Sequence, residues 1–172
     1  MTRAAIKRPL KRPFALDRID IKILAELQRN GRSTMGDLAA KAALSPRASL
    51  ERVRRLEAAG IITGYRAVVD LARLSRPVNI FAEIVLARQA DQKNVERRLA
   101  AMEEMLECWE VTGATDYIAH FACPDLAAYE ELTTALIDDP RLGVARIVSH
   151  VALRAVRPFA GYPDSLLSAK RG

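Results

Sequence analysis

The chain has 172 residues, half of them hydrophobic, so it is long enough for two small domains and too apolar for global disorder. Its net charge of +6 is divided unevenly, because residues 1–75 carry 16 Lys/Arg and 7 Asp/Glu whereas residues 76–172 carry 11 and 14. No apolar run reaches the ~18 residues that span a bilayer, and the N-terminus lacks the apolar stretch of a secretory signal. We therefore expect a cytoplasmic protein, without a membrane partner, whose basic half binds nucleic acid.

The N-terminal segment, residues 1–13, contains five basic residues, two prolines and no acidic residue. This composition predicts a basic flexible arm. The arm would add phosphate contacts when DNA is bound, and the alternative is a solvated tail without a partner.

Two helices are predicted after this arm. The first runs from Asp17 to Asn30 and carries an apolar stripe, with Asp20 on the same side in its first turn, where a carboxylate suits the positive helix end. Thr34 caps a short second helix. The link Ala43–Ser45 then leads directly into a third helix, and this spacing is typical of a helix-turn-helix.

The third helix begins with Ser45 as its cap and Pro46 at its first position, and Gly60 follows its end. A helical wheel places Ser49, Val53 and Leu56 on a small apolar side. The opposite side carries Arg47, Ala48, Glu51, Arg54 and Arg55. A solvated basic face is the ordinary meaning of such a pattern, but the caps and the preceding helix favour a helix that reads DNA.

In a helix-turn-helix, this last helix enters the major groove with its N-terminal residues at the base edges. Arg47 is then placed to pair with guanine, and Arg54 and Arg55 to meet phosphates. Glu51 either accepts from a cytosine amino group or pairs with an arginine one turn away.

Four runs of the sequence resemble the Lrp/AsnC family of bacterial and archaeal transcriptional regulators. They are LDRIDIKILAELQRNGR, SPRASLERVRRLE, GIITGY and VTGATDY, and the resemblance extends over residues 14–158. It implies an α+β fold in which a winged helix-turn-helix is joined to a ferredoxin-like βαββαβ domain. The expected organisation is a basic arm (1–13), a DNA-binding domain (14–70), a linker (71–78), an effector-binding and oligomerisation domain (79–158) and a loose tail (159–172).

The segment after the third helix predicts a small wing, with short strands at Ile61–Ile62 and Tyr65–Val69. Arg66 would then touch the DNA backbone. Backbone N–H groups at the start of the second helix would bind a phosphate. The complete set of predicted DNA-binding residues is Ser33, Thr34, Ser45, Arg47, Ala48, Glu51, Arg54, Arg55 and Arg66.

The second half alternates strands and helices in the ferredoxin-like order. The predicted strands cover residues 79–88, 106–112, 117–123 and 144–156, and the helices cover 91–102 and 125–138. The first of these strands is apolar on both faces. One face should therefore pack on the helices and the other on a second subunit's sheet. By family analogy, dimers would gather into a larger ring, an octamer.

The run VTGATDY matches the family's hairpin turn, which implies a small effector, commonly an amino acid, at Gly113, Ala114, Thr115, Asp116 and Tyr117. Backbone N–H groups of such a turn can bind a carboxylate. Asp116 either receives an ammonium group or caps the turn itself. Ala114 stands where the family often has an acidic residue, which removes one ammonium partner. An ordinary hairpin turn is the alternative.

Catalytic, metal and cofactor sites are not predicted. His120 and His150 are single histidines on separate predicted strands, and Cys108 and Cys123 lack metal-ligand spacing. The enzymatic alternative is a sirohaem decarboxylase, a class that resembles the same two-domain family and uses histidines. The capped basic helix argues against it, and a visible absorbance band with tetrapyrrole would favour it.

Overall fold

The computed structural model describes residues 14–168, and their contacts divide them into two compact units. The helical unit comprises residues 14–68 together with 157–168, and the sheet unit comprises residues 69–156. The predicted arm, residues 1–13, lies outside the described residues. The elements in chain order are α1 (Arg18–Arg29), α2 (Met35–Ala42), α3 (Pro46–Ala58), β1 (Val78–Leu86), α4 (Gln92–Ala100), β2 (Met105–Glu110), β3 (Tyr117–Cys123), α5 (Leu126–Asp138), β4 (Val144–Val151) and α6 (Asp164–Leu167).

The first three helices begin at the predicted caps. Asp17 and Thr34 each form a capping box with the residue three positions later, and Ser45 accepts a hydrogen bond from the backbone N–H of Ala48. These bonds satisfy N–H groups that have no partner inside the helix. The buried core of the helical unit consists of Ile23, Leu24, Leu38, Ala42, Val53 and Leu56.

Ala43 forms the turn between α2 and α3 in the left-handed conformation, with φ of 55°. This single residue reverses the chain, and its N–H still bonds to the carbonyl of Ala39. The turn places α2 against α3, so the predicted helix-turn-helix is confirmed.

The two predicted wing strands were wrong, because residues 61–69 contain no strand. The backbone N–H groups of Ile61 and Ile62 both bond to the carbonyl of Leu56. They therefore close the end of α3 instead of pairing with a second strand. Beyond Gly64 the chain is exposed, and Val68 has no covered surface at all.

The segment expected to be a loose tail is ordered over most of its described length. The carboxamide of Gln28 on α1 accepts from the Tyr162 N–H at 2.6 Å and donates to the Tyr162 carbonyl at 3.2 Å. α6 follows, and Leu167 packs against the helical core. The expectation of a free tail was wrong for these residues, because the segment returns to α1.

The four strands form one antiparallel sheet in the order β2-β3-β1-β4, which is the ferredoxin-like topology predicted. β4 is shorter than the predicted strand and ends at Val151. Val151 pairs with Ile80, and one more bond joins the Ala152 N–H to the Asn79 carbonyl. Between Ala152 and residue 168 the chain contains no further strand.

One face of the sheet is covered by α4 and α5. Its buried side chains include Ile80, Ala82, Ile84, Ala119 and Phe121, each 0% exposed. The opposite face, which we call the open face, carries two rows of side chains across neighbouring strands. The registers give Glu107, His120, Phe81 and His150 in one row and Trp109, Ile118, Glu83 and Val148 in the next.

The helices within residues 14–168 are all too short or too polar to span a bilayer.

Candidate nucleic-acid interface and hairpin turn

The outer face of α3 carries the exposed cations that the sequence pattern predicts. The Arg47 side chain is 89% exposed, and its Nε lies 3.3 Å from Oε1 of Glu51 one turn later. An exposed pair of this kind is weak, so a nucleic acid can compete for the guanidinium. Arg54 is also exposed, and no carboxylate within residues 14–168 forms an ion pair with it. Ala48 is partly exposed beside them.

Arg55 does not lie free on the outer face of α3, where the helical wheel places it, but turns toward α1. Its Nη2 donates to Oδ2 of Asp20 on α1 at 2.6 Å, and its guanidinium lies 5.4 Å from the ring centroid of Phe14. Arg55 is therefore engaged within the protein and is not free to meet a phosphate without leaving a buried carboxylate.

Arg52, for which the sequence pattern predicts no role, joins the same network. Its Nη1 donates to Asp17 at 2.6 Å and to Asp20 at 2.8 Å. Hydrogen bonds to these carboxylates raise the pKa of Arg52, so the guanidinium stays charged. The sequence contains one indication of this network. Asp20 lies on the apolar side of α1, and a buried carboxylate requires a partner.

The start of α2 is already occupied by its own side chains. The Thr34 hydroxyl accepts from the Asp37 N–H at 3.1 Å and donates to the Asp37 carboxylate at 2.7 Å. Hydrogen bonds from Thr34 lower the pKa of Asp37, so this end of the helix carries a negative charge. Ser33 is buried, and its hydroxyl has no hydrogen-bond partner in the described part of the chain.

Ser33 and Arg54 border one cavity of about 310 Å³ between the C-terminus of α1, the start of α2 and α3. Ser45 and Arg66 lie apart from it. The Ser45 hydroxyl is used as the α3 cap, and Arg66 is exposed in the extended segment after α3. The structure thus brings Arg47, Ala48, Glu51 and Arg54 together on α3, whereas Ser33, Thr34 and Arg66 lie on other segments of the chain.

The hairpin between β2 and β3 is tied to the end of β1. Asp116 accepts from the Leu86 N–H at 2.7 Å, and its own N–H donates to the Ile84 carbonyl at 3.0 Å. The Thr115 hydroxyl donates to the same carbonyl at 2.9 Å. Of the two roles considered for Asp116, the carboxylate performs the structural one here.

The remaining turn residues are arranged around this anchor. Gly113 has φ of 124°, and a Cβ added to it would meet nothing within 4 Å, so the turn has open space beside it. Ala114 is exposed. Tyr117 is buried at the start of β3, and burial raises the pKa of its hydroxyl.

The two histidines lie on the open face. Nε2 of His120 is 3.1 Å from Oδ1 of Asn79, and Nε2 of His150 is 3.2 Å from Oε1 of Glu83. Across residues 14–168, no three His, Cys, Asp or Glu side chains cluster in a way that could hold a metal ion.

Two family profiles match the chain. Residues 16–63 match a winged helix-turn-helix DNA-binding domain, and residues 79–161 match the Lrp/AsnC ligand binding domain. The chain is 40% identical over 160 residues to the leucine-responsive regulatory protein of Haemophilus influenzae, with 91% of this chain and 95% of that protein covered. It is 41% identical to the Bkd operon transcriptional regulator of Pseudomonas aeruginosa, covering 82% and 93%.

The fold of this chain is also similar to those of solved transcriptional regulators. A transcriptional regulator from Neisseria meningitidis in complex with L-Met superposes with a TM-score of 0.81 at 29% identity, covering 89% of this chain and 99% of that one. AsnC from E. coli gives a TM-score of 0.76 at 25% identity, covering 86% and 100%. From its two matched domains, its relatives and its fold, this chain belongs to the Lrp/AsnC family of transcriptional regulators.

Proposed function

We propose that this regulator binds double-stranded DNA sequence-specifically through the outer face of α3 and responds to an amino acid through its sheet unit. It acts in the cytoplasm, where it meets chromosomal DNA, and it has no enzymatic activity. The observation that carries the DNA contact is the exposed pair Arg47 and Arg54 on a capped helix at the end of a helix-turn-helix. The regulators among its relatives support this function over the decarboxylase alternative.

Within the DNA interface, Arg47 has the best position for a base contact. It lies in the first turn of α3, and its only ion-pair partner in the described chain is the exposed Glu51. Released from Glu51, a guanidinium here can bond bidentately to guanine, and Glu51 is then free to accept from a neighbouring cytosine. Arg54 lies two turns further along and neutralises a phosphate.

Around this centre, the supporting contacts are weaker. Ala48 allows close approach to a base edge, and Ser45 fixes the start of α3. The backbone N–H groups of Ser33 and Thr34 already bond to the Asn30 carbonyl and the Asp37 carboxylate, so the phosphate contact expected there is not part of the proposed surface. Arg66 adds a contact from the extended segment, and Arg55 is not part of the surface.

The open face of the sheet supports a dimer. Trp109, Phe81 and Ile118 are 62%, 43% and 37% exposed, and they lie side by side on adjacent strands. Pairing this face with the same face of a second copy removes this apolar surface from water and presents two α3 helices to a pseudo-palindromic site. Four such dimers would form the octamer expected by family analogy.

We propose that the effector binds at the hairpin turn, residues Gly113 to Tyr117. Open space beside Gly113 leaves its backbone accessible to an amino-acid carboxylate. The neighbour solved with L-Met supports this ligand class. We propose that the bound ligand changes the contacts between dimers, so that it favours one assembly over another in proportion to its differential affinity.

The DNA interface is tested by Arg47→Ala in the full chain, using a binding sequence selected from random duplexes by the wild-type protein. Loss of one bidentate contact should relax the preference at one base position by roughly 1–3 kcal/mol, measured with all single-base variants. Arg73→Ala is the matched control, because Arg73 is 86% exposed and also pairs with a nearby carboxylate, Asp70, but lies in the sheet unit. An unchanged preference at every position in Arg47→Ala refutes the base contact.

A further inference from the structure

Helix α3 carries four arginines, and they fall into two pairs with different surroundings. Arg47 and Arg54 lie on the exposed outer face, whereas Arg52 and Arg55 turn toward α1 and contact Asp20. We propose that Asp20 is a positioning residue that withholds Arg52 and Arg55 from DNA and so limits affinity for DNA of any sequence. This inference rests on the proposed use of the α3 outer face as the DNA interface.

The Asp20 carboxylate is fully buried, and both of its oxygens are used. Oδ1 accepts from Arg52 at 2.8 Å, while Oδ2 accepts from Arg55 at 2.6 Å and from the backbone N–H of Asp17 at 3.1 Å. The last bond belongs to the capping box of α1, which fixes the carboxylate on the helix end. Asp20 is thus a fixed negative charge that faces α3.

Each withheld arginine has a second contact besides Asp20. The Arg52 guanidinium also donates to Asp17 at 2.6 Å. The Arg55 guanidinium lies over the Phe14 ring at 5.4 Å, within the range of a cation–π contact. Arg55 is the more accessible of the two to DNA, because its side chain is 49% exposed against 26% for Arg52.

Moving Arg55 to a DNA phosphate would leave a buried carboxylate with fewer partners. Such a charge is strongly penalised, whereas an exposed cation–phosphate contact in salt solution gains comparatively little. The ion pair should therefore persist when DNA binds. The two remaining outer cations, Arg47 and Arg54, then set the contribution of α3 to phosphate binding.

Withholding these two arginines should increase the specificity of the protein for its DNA sequence. Affinity for random DNA grows with the number of phosphates that a protein neutralises, and this number also sets the salt dependence of binding. Base contacts contribute only at the correct sequence. By keeping two of four arginines from phosphates, Asp20 lowers random-sequence binding while Arg47 retains its base contact, and the specificity ratio rises.

The test measures the salt dependence of binding of the full chain to a labelled random-sequence duplex. Arg54→Gln should flatten the slope of log K against log salt by about 0.9, the value for one phosphate contact, whereas Arg55→Gln should leave it unchanged. Asp20→Asn keeps the size of the side chain and an acceptor for the Asp17 N–H but removes the charge. It should bind the random duplex more tightly, with a slope steeper by about 0.9, as Arg55 becomes available.

The double variant Asp20→Asn/Arg55→Gln should return to the wild-type slope, and this reversal would not follow from a merely structural role of Asp20. Thermal unfolding of each variant identifies any that has lost its fold, and the comparison of Arg54→Gln with Arg55→Gln does not depend on Asp20→Asn being stable. Equal flattening by Arg54→Gln and Arg55→Gln overturns the inference. Unchanged slopes in both variants overturn the α3 interface itself.

Discussion

The imidazole of His120 lies flat against the ring of Phe81, with centroids 4.4 Å apart and planes inclined by 14°. The two residues face each other across β3 and β1, and His150 lies directly beyond Phe81 on β4. Phe81 is therefore the centre of a row on the open face, yet 43% of it remains exposed. A second copy packed on this face would cover it.

Phe81→Asp should convert the proposed dimer to a monomer. In a two-fold interface the substitution places two unpaired carboxylates near each other in a covered apolar surface, which should weaken association by about 3 kcal/mol or more. Light scattering and sedimentation give the mass directly. Leu126→Asp is the control, since Leu126 is 53% exposed but begins α5 on the other side of the sheet. A wild-type protein that is monomeric by these measurements would remove the proposed interface.

Stability should fall as the pH drops below the ordinary pKa of histidine, and His120 should cause part of that fall. Burial lowers the pKa of His120 below its usual 6.5, although Glu107 acts in the opposite direction. Below pH 6.5 the imidazole therefore binds a proton more readily in the unfolded chain than in the folded protein. Above pH 6.5 the imidazole is neutral in both states. The contribution is fully present above pH 6.5 and is lost as the pH falls through the folded pKa.

His120→Phe should remove this component from the pH dependence of the free energy of unfolding. Urea titrations at about pH 7.5 and about pH 5.5, at one protein concentration, would measure the difference. His150→Gln provides the comparison on the same face, since it leaves His120 in place. If His120→Phe loses as much stability on acidification as the wild type, another group is responsible.

Asp116→Ala should destabilise the sheet unit even in the absence of an effector. The change removes the acceptor of the Leu86 N–H and should lower the free energy of unfolding by about 1 kcal/mol. Asp116→Asn retains a side-chain oxygen and should lose less than half as much. Denaturant unfolding distinguishes the two variants, and equal losses would show that charge, not hydrogen bonding, anchors the turn.

Gly161→Ala should destabilise the helical unit. Gly161 has φ of 110°, and a Cβ there would lie 2.9 Å from Oε1 of Gln28, the atom that accepts from the Tyr162 N–H. The strained backbone alone should cost about 1–3 kcal/mol. Gly36→Ala on α2 is the matched control, because its nearest contact is 3.5 Å away and alanine favours a helix. Thermal unfolding should therefore shift in opposite directions for the two variants.

The features that the sequence predicts well are local ones. Asp17, Thr34 and Ser45 bond to N–H groups within the next three residues, so each cap can be found from its own neighbourhood. The sheet order followed from the succession of strands and helices, because few topologies satisfy that succession. The outer position of Arg47 and Arg54 followed from the helical period alone.

The features that the sequence did not predict depend on residues far apart in the chain. Asp20 and Arg55 are separated by 35 positions, so the wheel that placed Arg55 outside could not show its carboxylate partner. The wing strands were predicted wrongly for a different reason. Ile61 and Ile62 have the composition of a strand, but their N–H groups were already needed at the end of α3.

The bond between Gln28 and Tyr162 spans 134 positions, and the sheet unit, residues 69–156, is encoded between them. During synthesis, α1 to α3 emerge first and can pack together, but the ribosome must deliver all the intervening strands before α6 exists. Closing so long a loop is also much less costly once that intervening chain has condensed. The helical unit should thus begin to fold first and be completed last.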